Sequence, residues 1–476
     1  MKTQPQSDMK PTTPIHIRAG DLKPALVGLG KVAHPKATLP VLQCIRVEAI
    51  SASKAQLTAS DLNFHLNVTV PIEAGKKGEP FLLSLAAIRD QIRGFKANDT
   101  VHLAPNAKAP PVAEFPGAPK FRATPISLSE DMSASLLRAF ACASHDTTRH
   151  ILQGILLDVS GKGKNAHRIV ATDGRQLYSS NSMHLPSLKS SIILPDHPLW
   201  KWKGIADSVE SAPWTLRVGT EKEGTQPFRI ESDSWQLTGK TIDGNYPNYR
   251  QVIPPVSDFR SRVEMPSEVA EAIAGLIPKL PGKKLQNKPV GIHVEKGLVS
   301  LLARETTDQP WQFYPVGPVE VNGPDQVVFA NRDYVQRATS FGLTGINLID
   351  PQSPIQFSRK GDIMIVMPVR VGGADKLKRP RKLEPVVTGK KTERTAPPKK
   401  QASKPKPAAS PKSDPMDDVE ASIAEANKAL QTAGKKLKSA KGSLGTARDQ
   451  RSEDQEELRG FRSLFRSIKK LAVGDN

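Results

Sequence analysis

Three aspartates stand where chemistry is first sought. Asp61, Asp173 and Asp243 each follow or adjoin an apolar run that reads as a strand. Asp173-Gly174 and Asp243-Gly244 are turn dipeptides, so turn formation is preferred here over a metal or acid/base role. Gly161-Lys162-Gly163-Lys164 has the composition of a phosphate loop, yet it sits in a hairpin turn with no helix after it. The ten histidines are scattered, and none has ligand spacing. H-E-x-x-H, C-x-x-C, G-x-S-x-G and G-x-x-x-x-G-K-[ST] are all absent from the sequence. The expectation is a non-enzyme that needs no metal and no cofactor.

Charge is the chemistry that remains. The chain carries 68 Lys and Arg against 48 Asp and Glu, a net +20. Beyond Gly373 there are 25 basic and 14 acidic residues, so that part holds +11 and the rest +9. A basic balance in both parts suits a polyanion partner, although it also serves plain solubility. Two helical stretches concentrate it: Arg89, Arg93 and Lys96 in one, Lys201 and Lys203 in the other. Arg89 and Arg93, spaced i,i+4, are expected on one face beside Ile88 and Ile92. Such helices in series would line one surface with positive charge and attract phosphates without reading sequence.

The elements that must position these residues recur. Leu22, Ala25, Leu26 and Leu29 have helical spacing behind Asp21 as a cap. Leu39–Ala49 is apolar and partly alternating, and alternation resumes over Gln56–Val70 with one slip of phase. Ser84 then caps a helix bearing Leu85, Ile88, Ile92 and Phe95. A second copy is visible by eye. Leu42-Gln43-Cys44-Ile45 aligns with Leu152-Gln153-Gly154-Ile155, and Ala59-Ser60-Asp61 with Ala171-Thr172-Asp173. Helices over Asp131–Ser144 and Pro198–Ser208 complete it. A fainter third copy has helices over Glu268–Leu276 and Arg332–Phe341 and strands over Gly291–Ala303, Ile355–Ser358 and Ile363–Pro368.

Those residues resemble a known family. Thr38-Leu39-Pro40-Val41-Leu42 with Thr58-Ala59-Ser60-Asp61-Leu62 is similar to the opening of the bacterial DNA polymerase III beta subunit, the sliding clamp. Val170–Leu177, Asp243–Pro254 and Val366–Arg370 resemble later signatures of the family, in family order from about Ile15 to Val371. The resemblance implies an α+β fold of three repeated clamp domains, over 14–126, 127–256 and 257–373, with helices lining a hole and antiparallel sheets outside. It implies a head-to-tail homodimer around double-stranded DNA that serves as a processivity factor for a polymerase and is placed by a clamp loader.

The resemblance also implies a cleft for partner peptides between the second and third domains. Its matching positions are Leu152, Thr172, Gly174, Arg175, Gln176, Leu177, Pro247, Gln251, Val252, Asn331, Tyr334, Ile365, Met367, Pro368, Val369 and Arg370. DNA contacts carried over the same way are Lys36, His145 and Arg149, beside the helical cations named above. Phe121 is expected at the interface with the third domain of the other copy. The family reads Asp-Gly-His-Arg where this chain has Asp173-Gly174-Arg175-Gln176, and here Gln251 and Val369 replace an Arg and a Met.

The chain has 476 residues. Lys376–Pro415 is rich in Lys, Pro and Ser, so 374–415 is expected to be a disordered linker. Residues 416–476 are expected to be a helical basic tail, with a heptad over Met416–Leu444. In that tail Phe461-Arg462-Ser463-Leu464-Phe465 resembles the short peptides that bind clamps. Two cysteines, no membrane-length apolar run and a polar start predict a soluble protein of the cytoplasm, and the resemblance implies association with the nucleoid. The alternative is a clamp-fold paralogue that binds DNA or acts as a scaffold without tethering a polymerase.

Overall fold

The structure is a computed structural model that describes residues 14–73, 78–106, 108–163, 166–373, 377 and 385–387. The described residues belong to one compact unit. The tail expectations, the heptad and the Ser-Leu-Phe segment among them, lie outside the described residues.

Three repeats follow one another. The first comprises β1 (Ile15–Arg18), α1 (Ala19–Val32), β2 (Cys44–Ala49), β3 (Lys54–Ser60), β4 (His65–Pro71), β5 (Phe81–Ser84), α2 (Leu85–Gln91) and β6 (Thr100–Leu103). The second comprises β7 (Ile126–Leu128), α3 (Glu130–Phe140), β8 (Gly154–Asp158), β9 (Arg168–Thr172), β10 (Gln176–Ser180), β11 (Ile192–Pro195), α4 (Lys203–Ser211), β12 (Trp214–Val218), β13 (Pro227–Glu231) and β14 (Trp235–Lys240). The third begins with β15 (Ser261–Glu264), α5 (Ser267–Leu276), β16 (Pro289–Glu295), β17 (Leu298–Ala303) and β18 (Gln312–Pro318). It ends with β19 (Glu320–Asn322), β20 (Gln326–Asn331), α6 (Arg332–Ser340), β21 (Gly345–Leu348), β22 (Ile355–Arg359) and β23 (Asp362–Val366).

Sheets join one repeat to the next. β4 of the first pairs antiparallel with β14 of the second, with Trp235 opposite Val68. β10 of the second pairs the same way with β23 of the third, with Leu177 opposite Ile365. Sheets of eight and nine strands therefore run unbroken across both seams. In each seam the last strand of one repeat meets the third sheet strand of the repeat before it. The counterpart in the third repeat is β18, which ends a four-stranded sheet.

Helices pack on the inner side of these sheets over a shared core that includes Leu26, Leu136, Trp214, Ile273 and Val335. Trp202, just ahead of α4, wedges the first two repeats together. Its Nε1–H donates to the Pro24 carbonyl at 3.0 Å, and its ring lies against Gly28 of α1. A Cβ at Gly28 would stand 2.6 Å from that ring, so glycine is what allows the close approach.

Several local expectations change. The phase slip in Gln56–Val70 is a turn, because Asp61 Oδ1 accepts from the Asn63 and Phe64 N–H groups and separates β3 from β4. Asp173 Oδ1 does the same for Arg175 and Gln176, with Gly174 at φ +86°. Helix α1 starts two residues before Asp21, which falls in its first turn. Ser84 holds the cap position of α2 without a side-chain hydrogen bond. Leu39–Ala49 opens with a 3-10 turn at Pro40–Gln43 before β2 begins.

The repeats are not equal. Where the second has β7-β12-β13-β14 and the third β15-β21-β22-β23, the first has only β1-β6 among the described residues. The stretch after β6 carries a short 3-10 turn at Val112–Glu114 in place of a hairpin. Of the expected linker 374–415 only 377 and 385–387 are among the described residues: Leu377 packs beside Leu302, Trp311 and Phe329, and Val386 and Val387 bond to β18. They are among the few apolar residues of that stretch, and β18 leaves them an open edge.

Candidate functional site

The seam between β10 and β23 builds the site. Side chains alternate across a sheet, so Leu177 and its partner Ile365 face away from the main core while Tyr178 and Met364 face into it. Leu177 and Ile365 join Leu156, Val170, Ile193 and Tyr249 in a second, smaller apolar cluster on the outer face. The segment 242–253 covers one side of it through Ile242, Tyr246 and Ile253. Two residues beyond Ile365, Met367 is 41% exposed, and across the cluster Val252 is 42% exposed.

Hollows open at two places around this cluster. One, of about 360 Å³, is lined by Arg175, Asn287, Asn331, Tyr334, Met367, Pro368, Val369 and Arg370. The other, of about 290 Å³, includes Leu156, Ile193, Tyr246, Pro247, Tyr249 and Arg250. Fixed backbone holds their walls. The Met367 N–H donates to the Arg175 carbonyl at 2.9 Å, and the Val369 N–H to the Phe329 carbonyl at 2.8 Å. Pro368 forms a bridge with Ala330, so the chain crosses from the nine-stranded sheet to the edge of β20.

The expected cleft positions divide by role. Arg175, Asn331, Tyr334, Met367, Pro368, Val369 and Arg370 line the larger hollow, and Pro247 the smaller. Leu177 and Ile365 are buried foundation, with exposures of 4% and 1%. Thr172 and Gln176 set the turn: Thr172 Oγ1 donates to the Gln176 carbonyl at 2.6 Å and accepts from the Gly174 N–H. The buried Gln176 amide donates to Asp173 Oδ2 and accepts from Arg337 at 2.7 Å. Gln251 is exposed beside Val252, and Leu152 is half-buried.

Sequence reasoning missed Asn287, Tyr246 and Tyr249. Asn287 occupies a left-handed conformation, φ +59°, at the rim of the larger hollow. The Tyr246 hydroxyl accepts from the Thr172 N–H at 3.1 Å, which ties the covering segment to the strand below it. Tyr249 donates to Asp158 Oδ2 at 2.7 Å, and Arg250 donates to the same oxygen at 2.8 Å. Burial alone would raise the Asp158 carboxyl, but the bonds from Ser160 and Tyr249 and the Arg250 charge hold it below its ordinary value. Burial and the facing Asp173 carboxylate push the Tyr334 hydroxyl up to about 12, so it stays a neutral hydrogen-bonding group at the rim.

The expected DNA-facing cations are less uniform. Helix α2 ends at Gln91, short of Arg93, because the chain turns through Gly94 at φ +86°. Arg89 and Arg93 therefore do not share a helix face. Arg89 instead donates to the Leu26 carbonyl of α1 at 3.2 Å, and Arg93 pairs with Asp90 at 2.9 Å. Lys203 pairs with Asp207, and His145 lies 3.6 Å from Asp196. Arg149 reaches back to the Asp173 carbonyl at 3.2 Å, which ties its loop to the cleft turn. Lys36, Lys96 and Lys201 are exposed. Phe121, expected between copies, lies under the Arg229 guanidinium of its own second repeat at 4.6 Å, since the segment before β7 is bound across β12 and β13.

No family model matches the chain. Among curated relatives, the beta sliding clamp of Pseudomonas aeruginosa is 26% identical over 268 residues, 50% of this chain and 66% of that protein. That of Vibrio cholerae is 23% identical over 46% of this chain and 62% of that protein. The matches to these two thus span somewhat less than two thirds of either relative. The Salmonella typhimurium clamp is 22% identical over 70% of this chain and 93% of that protein. Among solved structures, the DNA polymerase beta subunit of Streptococcus pyogenes has a TM-score of 0.59 at 16% identity, over 75% of this chain and 100% of that one. The Pseudomonas aeruginosa clamp bound to griselimycin has a TM-score of 0.58 at 19% identity, over 76% and 100%. Shared order of elements and low identity lead to one conclusion: the chain has the fold of the beta sliding clamps and resembles them distantly in sequence.

Proposed function

We propose that this protein is a non-catalytic sliding clamp that holds duplex DNA without reading its sequence and tethers a DNA polymerase through the cleft at the second seam. The observation that carries the reading is that cleft: a buried apolar base at Leu177 and Ile365 with an exposed Met367 and a walled hollow beside it. Such a site accepts the apolar side chains of a short peptide, while the hydrogen-bonded turn at Asp173 keeps its rim in place. Short peptides of a polymerase and of a clamp loader are the proposed occupants. Two copies head to tail would supply the six repeats of a ring. The cytoplasm beside nucleoid DNA is the setting that goes with it. Among the described residues no helix is long and apolar enough to cross a membrane, and no cluster of His, Cys, Asp or Glu could hold a metal.

A second reading has its own observation. Among the described residues the first repeat has no counterpart of β14 and β23, the strands by which the later repeats join the one before, which favours a clamp-fold protein that binds DNA or partners without closing a ring. Retention on DNA separates the two. The ring reading expects the protein, once loaded on nicked circular DNA, to survive a high-salt wash and to leave when the circle is linearised. Loss in salt from circle and line alike would overturn the ring.

A further inference from the structure

The edge of β18 is the third member of a series. β4 and β10, its counterparts in the first and second repeats, are both covered by the last strand of the following repeat. Among the described residues no fourth repeat follows the third, so the outer edge of β18 is where a second copy would have to join. In this chain that edge is already taken. The Val386 N–H donates to the Pro315 carbonyl at 3.3 Å, and the Val387 N–H to the Val316 carbonyl at 2.7 Å.

We propose that residues 385–387 are a built-in seal on the β18 edge, which keeps the full chain single until the segment is displaced.

The local geometry fits a dedicated contact. A regular strand turns only every second carbonyl to one side, yet two consecutive carbonyls of β18 accept from the segment. The register between β17 and β18 slips at Val299/Ser300, where Val316 is the extra residue of a bulge. The bulge thus presents both carbonyls outward. Val387 comes within reach of Gly317, where a Cβ would stand 3.1 Å from its own, and packs on the main core, whereas Val386 is 68% exposed. Pro315 and Pro318 carry no N–H, which fits β18 to an outer position and makes it a poor template for a long ladder. The extension is held on the way as well: Trp311 Nε1 donates to the Gly372 carbonyl at 3.3 Å, and Leu377 packs beside Trp311.

Competition decides the outcome. The seal is tethered to the domain that it covers, so it acts at high effective concentration. The opposing surface of a second copy is the first repeat, whose stretch after β6 holds no strand among the described residues. That stretch is bound across β12 and β13, so it would have to leave those contacts before it could pair as a strand. A seal of three residues is enough against so weak a competitor.

This inference rests on the ring reading, and the test keeps the two apart. The full chain is compared with the full-chain variants Val387→Asp and Val387→Pro by sedimentation equilibrium over roughly two decades of concentration in the micromolar range, where weak protein association is measurable. The first variant puts charge against the core, and the second removes the donor while keeping an apolar side chain. The expected result is a wild-type particle of 51.7 kDa over the range. Both variants are expected to dimerise at concentrations at least tenfold lower. Amide exchange at Val386 and Val387 is expected to be slow in the wild type and fast at Val386 in both variants. Equal dimerisation of all three chains overturns the seal and leaves the ring. Single particles throughout overturn the seal and the homodimeric ring together.

Discussion

Leu177 and Ile365 are in-register partners across the second seam, and both are buried, whereas Met367 two residues further on is 41% exposed. Foundation and contact surface therefore lie on the same face of neighbouring strands, one register step apart.

That division predicts different losses for similar truncations. Met367→Ala should weaken a polymerase-derived peptide by about 1–3 kcal/mol, a Kd higher by roughly 5- to 150-fold, with thermal stability nearly unchanged. Leu177→Ala empties a buried position and should cost about 2–5 kcal/mol of folding stability. Fluorescence anisotropy and urea unfolding measure the two. An unchanged peptide affinity in Met367→Ala would mean that the cleft does not hold the peptide.

Asp158 gives a pH dependence of known sign. Its carboxyl sits below its ordinary value in the folded protein, so its stabilising effect is complete above the unfolded carboxylate range, about pH 3.9. It is lost as the pH falls through the folded-state value. Asp158→Asn should therefore lower the urea midpoint at neutral pH and flatten its fall between about pH 5 and pH 2. A variant whose midpoint falls with acid as steeply as that of the wild type would show that Asp158 contributes nothing of this kind.

The cations can be sorted by salt. Lys36, Lys96 and Lys201 are exposed, so their joint replacement by Ala should reduce the slope of log K against log salt by about 0.9 for each phosphate left unneutralised. Arg89→Ala removes a guanidinium bonded to the Leu26 carbonyl and should instead cost stability, by about 1 kcal/mol, with little effect on the slope. Filter binding on duplex DNA at several salt concentrations checks both. A larger slope change from Arg89→Ala than from the triple variant would reverse this assignment.

Much of the architecture was legible in the chain itself. Period-2 and period-3.6 patterns reflect local burial, which is why the helices at 267–276 and 332–340 and the strands at 355–359 and 362–366 lie close to their expected places. The repeat showed because Leu42-Gln43 and Leu152-Gln153 meet the same local demand, the 3-10 turn before a strand. Asp61 and Asp173 were readable as turn residues for the same reason: their partners are two and three residues away.

What sequence could not decide involves partners far along the chain. Arg89 looks like any solvated helix cation until α1 brings the Leu26 carbonyl beside it, 63 residues away. Phe121 is expected between copies by resemblance, and only the fold shows the Arg229 guanidinium covering its ring. Asn287 carried no motif, since its place at the hollow comes from a turn set against α6. Pro385-Val386-Val387 lies in a composition that argues for disorder, and composition weighs apolar content averaged over a stretch. Sequence alone determined a repeated, basic chain built without a recognisable catalytic motif. Only the tertiary structure decided what lies on the edge of the third repeat, because an edge is defined by the hydrogen bonds that distant segments do or do not supply.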